Sequence, residues 1–294
     1  FALNTVFGAA TTTIPAVDLS CEDYGLVWRL AGMDQGPKLR VVAESTMMDD
    51  VPVANVIGEI RGQEFPNEYV VLSAHYDSWD GGSGATDNGT GSIVMMEAMR
   101  ILSEVYPNPK RTILVGLWAS EEQGLNGSRA FVFDHPEVIE GLQAAFNQDN
   151  GTGQIARASA MGIVSASANL ADWMSRVPRD ITGKIDLSFP GSPSGGGSDH
   201  ASFICSGAPT FGLGSSSWDY FGYTWHTNLD TFDKIVWDNV QNNATLVAML
   251  AYLASEDERV SRDVRASVVN FRTGEPAEWP TCEDGARETT ARYR

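Results

Sequence analysis

Six side chains stand out for the chemistry they could do together: His75, Asp87, Glu121, Glu122, Asp149 and His226. Each lies in a short segment that reads as a strand end or a tight loop. Two imidazoles and several carboxylates are the donor set zinc prefers, bound at roughly 2.0 to 2.2 Å with one position left to water in a catalytic site. Two dications about 3.5 to 4 Å apart repel unless an anion lies between them, so a paired site needs a shared ligand. If Asp87, Glu122 and Asp149 are ionised and a hydroxide lies between the metals, four negative charges meet four positive ones. His75 and His226 then fill positions without adding charge. A sixth group, a carboxylate beside the metals, would serve as base.

Any one of these residues has a plainer reading. Asp87 among glycines would make a turn or a helix cap, Glu121-Glu122 a solvated helix start, and Asp149-Asn-Gly151 a turn. The ordered set, not any member, points to a metal centre. The segments that must position it are legible. Tyr69-Val-Val-Leu-Ser-Ala74 is apolar and partly β-branched and ends in His75-Tyr-Asp77, as a buried strand with polar residues at its carboxyl end would. In open α/β sheets that end is where sites form. Side chains alternate along a strand, so His75 and Asp77 share a face, and the Asp77 carboxylate is expected to accept the second imidazole N–H and fix its tautomer.

Next come a glycine-rich loop, Trp79 to Ala85, and a helix predicted from about Ser92 to Leu102, with Asp87 near its N-terminus. A second strand, Thr112 to Trp118, runs into Glu121-Glu122, whose adjacent side chains should diverge and take different jobs. A third, Gln143 to Gln148, delivers Asp149. His226 arrives after an aromatic loop and just before a long helix starting near Ile235. The aromatic stretch Ser217 to Trp225 is expected to wall a side-chain pocket.

The stretches His75-Tyr-Asp77-Ser-Trp-Asp80, Gly84-Ala-Thr-Asp87-Asn-Gly-Thr-Gly91, Trp118-Ala-Ser-Glu121-Glu122-Gln-Gly124, Asp149, Ser198-Asp199-His200 and His226-Thr-Asn-Leu-Asp230 resemble the dizinc exopeptidases of the M28 clan. Within it, the Asp-Ser-Trp-Asp after the first histidine is most similar to the carboxypeptidase Q (plasma glutamate carboxypeptidase) branch. The resemblance covers roughly residues 50 to 258. It implies an α/β fold, a three-layer α/β/α arrangement with a central mixed, mostly parallel twisted sheet. It implies two Zn2+ per chain, with His75 and Asp149 on one ion, Glu122 and His226 on the other, Asp87 as bridge and Glu121 as general base. It further implies a cis peptide at Asp87-Asn88, a supporting role for Asp199, and no ligand role for His200. The implied reaction is hydrolysis of a terminal bond of a peptide or dipeptide through a metal-bridging water. Aminopeptidase action is favoured over carboxypeptidase action. A single-zinc glutaminyl cyclase and a metal-free binding ectodomain are the alternatives on the same fold.

Recognition of a substrate end needs opposite charges for the two exopeptidase types: carboxylates for an amine, Arg or Lys for a carboxylate. Loops around Asp80 and Asp219 are candidates for the first, and Arg129, Arg179 or Lys184 for the second.

Length and composition suit an enzyme core: 294 residues, 43% hydrophobic, with alternating strand and helix patterns. The formal charge of −18 argues against nucleic acid or anionic membrane as partners. No apolar run approaches 20 residues, so no membrane span is expected. The chain opens on Phe1 and reads as a processed or excised piece, and the resemblance favours a secreted or periplasmic enzyme. Cys21, Cys205 and Cys282 permit one internal disulfide in three pairings.

Three regions are expected. Residues 48–259 form the catalytic domain. Residues 1–47 read as the remnant of an inserted protease-associated-like domain, with short strands at Ile14 to Leu19 and Lys38 to Ala43 around a helix from Cys21 to Ala31. Such a remnant would expose apolar surface or pack on a partner chain, as in a homodimer. Residues 260–294 form a C-terminal extension with no assigned role.

Overall fold

A computed structural model of the chain describes residues 17, 19–42, 44, 52–217, 219–269 and 273–286. Two compact units are present, Phe1–Pro52 and Val53–Arg294.

In the first unit the predicted helix forms, α1 (Cys21–Gly32), with the Ser20 hydroxyl accepting the Asp23 backbone N–H as its N-cap. None of its residues is buried, and Tyr24, Leu26 and Trp28 are exposed. The strand expected at Lys38 to Ala43 is not found: residues 38–42 are without ladder bonds, and an apolar run becomes a strand only where a partner edge takes its N–H and C=O groups. Residues 14–16, 18 and 43 of the two expected strands lie outside the described residues.

The second unit is built on seven strands: β1 (Val56–Ile60), β2 (Phe65–His75), β3 (Arg111–Trp118), β4 (Leu142–Gln148), β5 (Ile155–Ser159), β6 (Asp186–Ser188) and β7 (Thr210–Ser215). Their order across the sheet is β1-β3-β2-β4-β7-β5-β6. The central neighbours β3, β2, β4 and β7 run parallel, whereas β1 is antiparallel to β3 and β5 to β7. The sheet is therefore mixed and mostly parallel, as expected. Helices cover both faces, which is why every residue of β3 and β4 is buried.

Strand alternation sorts the core into two layers. Val70, Leu72 and Ala74 of β2 face the larger cluster, where α2 (Thr90–Val105) contributes Val94, Met95 and Ala98. Val71 faces the other side, with Trp118, Phe131 and Phe203. The remaining helices are α3 (Asn126–Asp134), α4 (Pro136–Glu140), α5 (Ser167–Arg176), α6 (Arg179–Thr182), α7 (His200–Ile204) and α8 (Trp237–Glu256). Leu170 and Trp173 of α5 and the apolar stripe of α8 join the first layer, while α3, α4 and α7 supply the second. The result is three layers, α/β/α.

After α8 the chain does not drift away. Cys282 is disulfide-bonded to Cys205, and Trp279 Nε1–H donates to the Ile204 carbonyl at 2.9 Å, so the last described residues are tied to the end of α7. Between them lies a two-strand hairpin, β8 (Val268–Val269) with β9 (Pro276–Ala277). The third cysteine, Cys21, is free and exposed.

Candidate metal centre

Three parallel strands end side by side, and their carboxyl ends carry the site. β2 finishes on His75, β3 leads through Ala119-Ser120 to Glu121-Glu122, and β4 leads directly to Asp149. Asp87 is delivered by the turn Ala85–Gly89, which enters α2. The peptide Asp87-Asn88 is cis, as the resemblance implied. Gly91 lets this turn lie close to β4, since a Cβ there would run into Asn88 Oδ1 and the Gln148 carbonyl. Asn88 Nδ2 donates to that same carbonyl at 3.0 Å.

The ligand atoms converge on two points with one residue in common. His75, Asp87 and Asp149 form one triad and Asp87, Glu122 and His226 the other, each with ligand atoms within 4.8 Å of one another. His75 Nε2 is 3.1 Å from Asp149 Oδ1 and 3.5 Å from Asp87 Oδ1. On the other side, His226 Nε2 is 2.9 Å from Glu122 Oε2 and 3.4 Å from Asp87 Oδ2. Asp87 thus turns one carboxylate oxygen to each histidine, the geometry a bridging ligand needs. His226 is held at φ 57°, a left-handed backbone uncommon outside glycine, inside a turn closed by Thr227 N–H donating to the Thr224 carbonyl at 3.1 Å.

These residues fit a pair of divalent cations. Asp87, Glu121, Glu122 and Asp149 are all nearly buried, and no lysine or arginine pairs with any of them among the described residues. Asp87 Oδ2 and Glu122 Oε1 have no hydrogen-bond donor among the described residues. Burial, with the Asp149 charge next, pushes the Glu121 carboxyl up to about 10. Burial likewise pushes Asp87 up to about 7, with neighbouring carboxylates adding to it against the pull of His75. Four buried carboxyl groups cannot all ionise beside each other without positive charge among them.

A layer of hydrogen bonds orients this set. Trp79 Nε1–H donates to Glu122 Oε2 at 2.7 Å. Asp77 differs from its expected role. His75 Nδ1 meets the Asp77 backbone carbonyl at 3.0 Å, whereas the Asp77 carboxylate stands 3.6 Å away. That carboxylate instead accepts the backbone N–H groups of Glu121 and Glu122, at 3.1 and 3.2 Å. Alternation puts residues 75 and 77 on one face only while the strand continues, and β2 ends at His75. The turn beyond it brings the carbonyl to the imidazole and frees the carboxylate to hold the loop after β3.

Two other expectations change. In the stretch Ser217 to Trp225, Tyr220 is buried, Phe221 and Tyr223 are exposed, and Trp225 stacks on His226 with ring centroids 3.9 Å apart. Trp218 lies outside the described residues. Trp79 also packs on the His226 ring, with centroids 5.5 Å apart. Among the described residues, the cavity beside Asp149 has a different lining, drawn from β4 to β7 and the segment before α7. Nor do the expected end-binding residues reach it. Asp80 and Asp219 are exposed and outside its lining, Arg129 pairs with Glu283 at 3.0 Å, and Arg179 and Lys184 are exposed. Asp199 is buried and His200 partly buried at the start of α7. His200 lies outside both triads, and burial pushes its imidazole down to about 4.

One residue with a large role was quoted in the sequence only as part of a motif. Asp230 accepts the Thr86 N–H at 2.7 Å on one carboxylate oxygen and the Asp87 N–H at 2.8 Å on the other. Its place four residues after His226 was the available signal.

Comparison with known proteins places the chain. The model of peptidase family M28 matches residues 55–251, and the chain belongs to that family. Mouse carboxypeptidase Q is 29% identical over 253 residues, covering 85% of this chain and 52% of that protein. The chain spans about half the length of the curated carboxypeptidase Q relatives it matches. Among solved structures, the peptidase M28 precursor from Shewanella amazonensis SB2B superposes with a TM-score of 0.64 at 30% identity, covering 70% of this chain and 46% of that one. A zinc aminopeptidase from Bacillus subtilis gives 0.56 at 25% identity, covering 72% and 52%.

Proposed function

We propose that the chain is the catalytic part of a dinuclear zinc exopeptidase that hydrolyses a terminal bond of peptides or dipeptides. The observation that carries this is the shared position of Asp87 between two buried triads, with Glu121 beside them and left out of both. His75, Asp149 and Asp87 would hold one ion, and Glu122, His226 and Asp87 the other. Bound there, zinc supplies Lewis acidity toward a carbonyl and lowers the pKa of water.

The chain's own groups do the rest. Glu121 Oε takes a proton from the attacking water and returns it to the leaving amine. The Asp77 carboxylate, by accepting the Glu121 and Glu122 backbone N–H groups, keeps one glutamate on a metal and its neighbour free for proton transfer. Trp79 and Trp225 pack on the His226 ring and would steady its orientation. The Cys205–Cys282 disulfide fits an oxidising compartment, which supports a secreted protein.

The test is metal content together with hydrolysis. Two zinc equivalents per chain and cleavage of unblocked dipeptides, both abolished by a chelator and restored by zinc, are expected. One equivalent would instead favour a glutaminyl cyclase, and no metal with no turnover a binding ectodomain. Blocking each peptide end in turn decides the terminus; the aminopeptidase reading expects cleavage to vanish when the amine is blocked.

A further inference from the structure

A cavity of about 540 Å³ lies beside the candidate metal centre, with Asp149 and Ser198 among its lining residues. Small residues, Ala158, Ser159, Ser188, Gly212 and Gly214 among them, share its lining with polar and charged ones, including Asp186. One cation stands in it, Arg157, in the middle of β5. Strand register explains how it comes to be available. Arg157 is paired with Gly214 of antiparallel β7 on one side and with Asp186 of parallel β6 on the other.

Gly214 has no side chain, and the guanidinium lies in the space one would take. A Cβ at 214 would be 3.1 Å from Arg157 Nε and 3.5 Å from Nη2. Asp186 shares the sheet face with Arg157, yet the two make no ion pair within 4.0 Å. No other carboxylate pairs with Arg157 among the described residues. The carboxylates in the lining are Asp149, which belongs to one of the two triads, and Asp186, which does not pair with Arg157, so the guanidinium is left to attract a substrate carboxylate, which it can meet with two parallel N–H donors.

We infer that Arg157 is the specificity-determining residue of this cavity and that the cavity takes a carboxylate of the substrate. Two sources share that chemistry, an acidic side chain on the residue seated in the pocket and the free α-carboxylate of a short peptide. The assignment rests on the peptidase reading for its substrates, but not for its binding site.

The zinc-loaded chain, its Arg157→Met variant and its Arg157→Lys variant would be compared on matched peptides. Glu-Ala-amide against Gln-Ala-amide isolates a side-chain carboxylate, and Ala-Ala against Ala-Ala-amide an α-carboxylate. In the pair that the wild type favours, Arg157→Met should lose about 10- to 100-fold in kcat/KM on the charged member, the scale of a charge-assisted hydrogen bond. The neutral member should change less than about 3-fold, and Arg157→Lys should recover part of the loss. Equal losses on charged and neutral peptides, or no loss on either, overturn the assignment. A wild type that cleaves none of the four sinks the peptidase reading alone. Calorimetric titration with glutarate then decides for Arg157: binding weakened at least about 10-fold in Arg157→Met supports it, and equal or absent binding in the wild type overturns it.

Discussion

The carboxylate of Asp230 accepts the backbone N–H of Asp87 at 2.8 Å, tying the residue shared by both metal triads to the loop that supplies His226. The Thr86 N–H and hydroxyl fall on its other oxygen, at 2.7 and 2.8 Å, and Asp230 is itself 3% exposed. A buried carboxylate satisfied by two consecutive backbone donors fixes where the next side chain points, so Asp230 sets the Asp87 carboxylate between the histidines. Replacing it by asparagine puts an amide N–H against a backbone N–H. Asp230→Asn should lower zinc affinity about 10- to 100-fold, the usual scale for groups behind a metal ligand. Competitive chelator titration measures this, and an affinity equal to the wild type would mean that Asp230 does not position the bridge.

Glu121 belongs to neither triad but sits among their carboxylates, 9% exposed. Glu121→Gln should therefore keep both zinc ions and the thermal stabilisation they bring, while kcat falls by about 10²- to 10⁴-fold, the range of general acid–base catalysis. Metal analysis and turnover on one sample suffice. A variant that turns over normally, or that loses a metal ion, would show that the glutamate has another job.

The disulfide joins residues 77 apart in sequence and fastens the C-terminal hairpin to the end of α7. Closing so long a loop restricts the unfolded chain strongly, with about 4.5 kcal/mol expected on the chain-entropy account. Cys282→Ser should lower the melting temperature by several degrees and open residues 273–286 to protease before the core unfolds. Unaltered melting and digestion would show that Trp279 and its neighbours hold the extension without the bridge.

Asp257 follows α8 and accepts Trp173 Nε1–H at 2.8 Å and Asn169 Nδ2–H at 3.0 Å. Partial burial alone would raise its pKa, but these donors outweigh it and hold the carboxyl below the ordinary range. A carboxyl depressed on folding binds its proton more readily in the unfolded chain. Its stabilisation is thus present above the unfolded pKa of about 4 and is lost as pH falls through the lower folded value. Asp257→Asn should be less stable than the parent in urea at pH 7, and the gap should close below about pH 4. Trp173 fluorescence reports the transition, and a gap that stays constant with pH would remove Asp257 from the acid limb.

Much of the second unit could be read before any coordinates, because burial on both faces writes itself into composition. Val70-Val-Leu and Ile113-Leu-Val are apolar without alternation, as central parallel strands must be, and polar residues appear where those strands stop. His75, Glu121, Glu122 and Asp149 were singled out that way. The Cys205–Cys282 pairing was out of reach, since three cysteines allow three choices and only proximity selects one. The strand expected at Lys38 to Ala43 does not form over its described residues, 38–42, for a related reason: β-propensity is a preference for a partner, and pairing is settled by what lies alongside.

Residue type and local order thus determined which atoms could bind metal and at which strand ends they would be presented. The fold alone decided what the neighbouring groups do. Asp77 exchanges its expected contact for two backbone amides once β2 ends, the aromatics after Ser217 brace His226, and Arg157 enters the cavity while Arg129 is drawn to Glu283. Side-chain direction after a strand ends, and which distant backbone lies across from it, depend on register between strands far apart in the chain. No window of sequence contains that information.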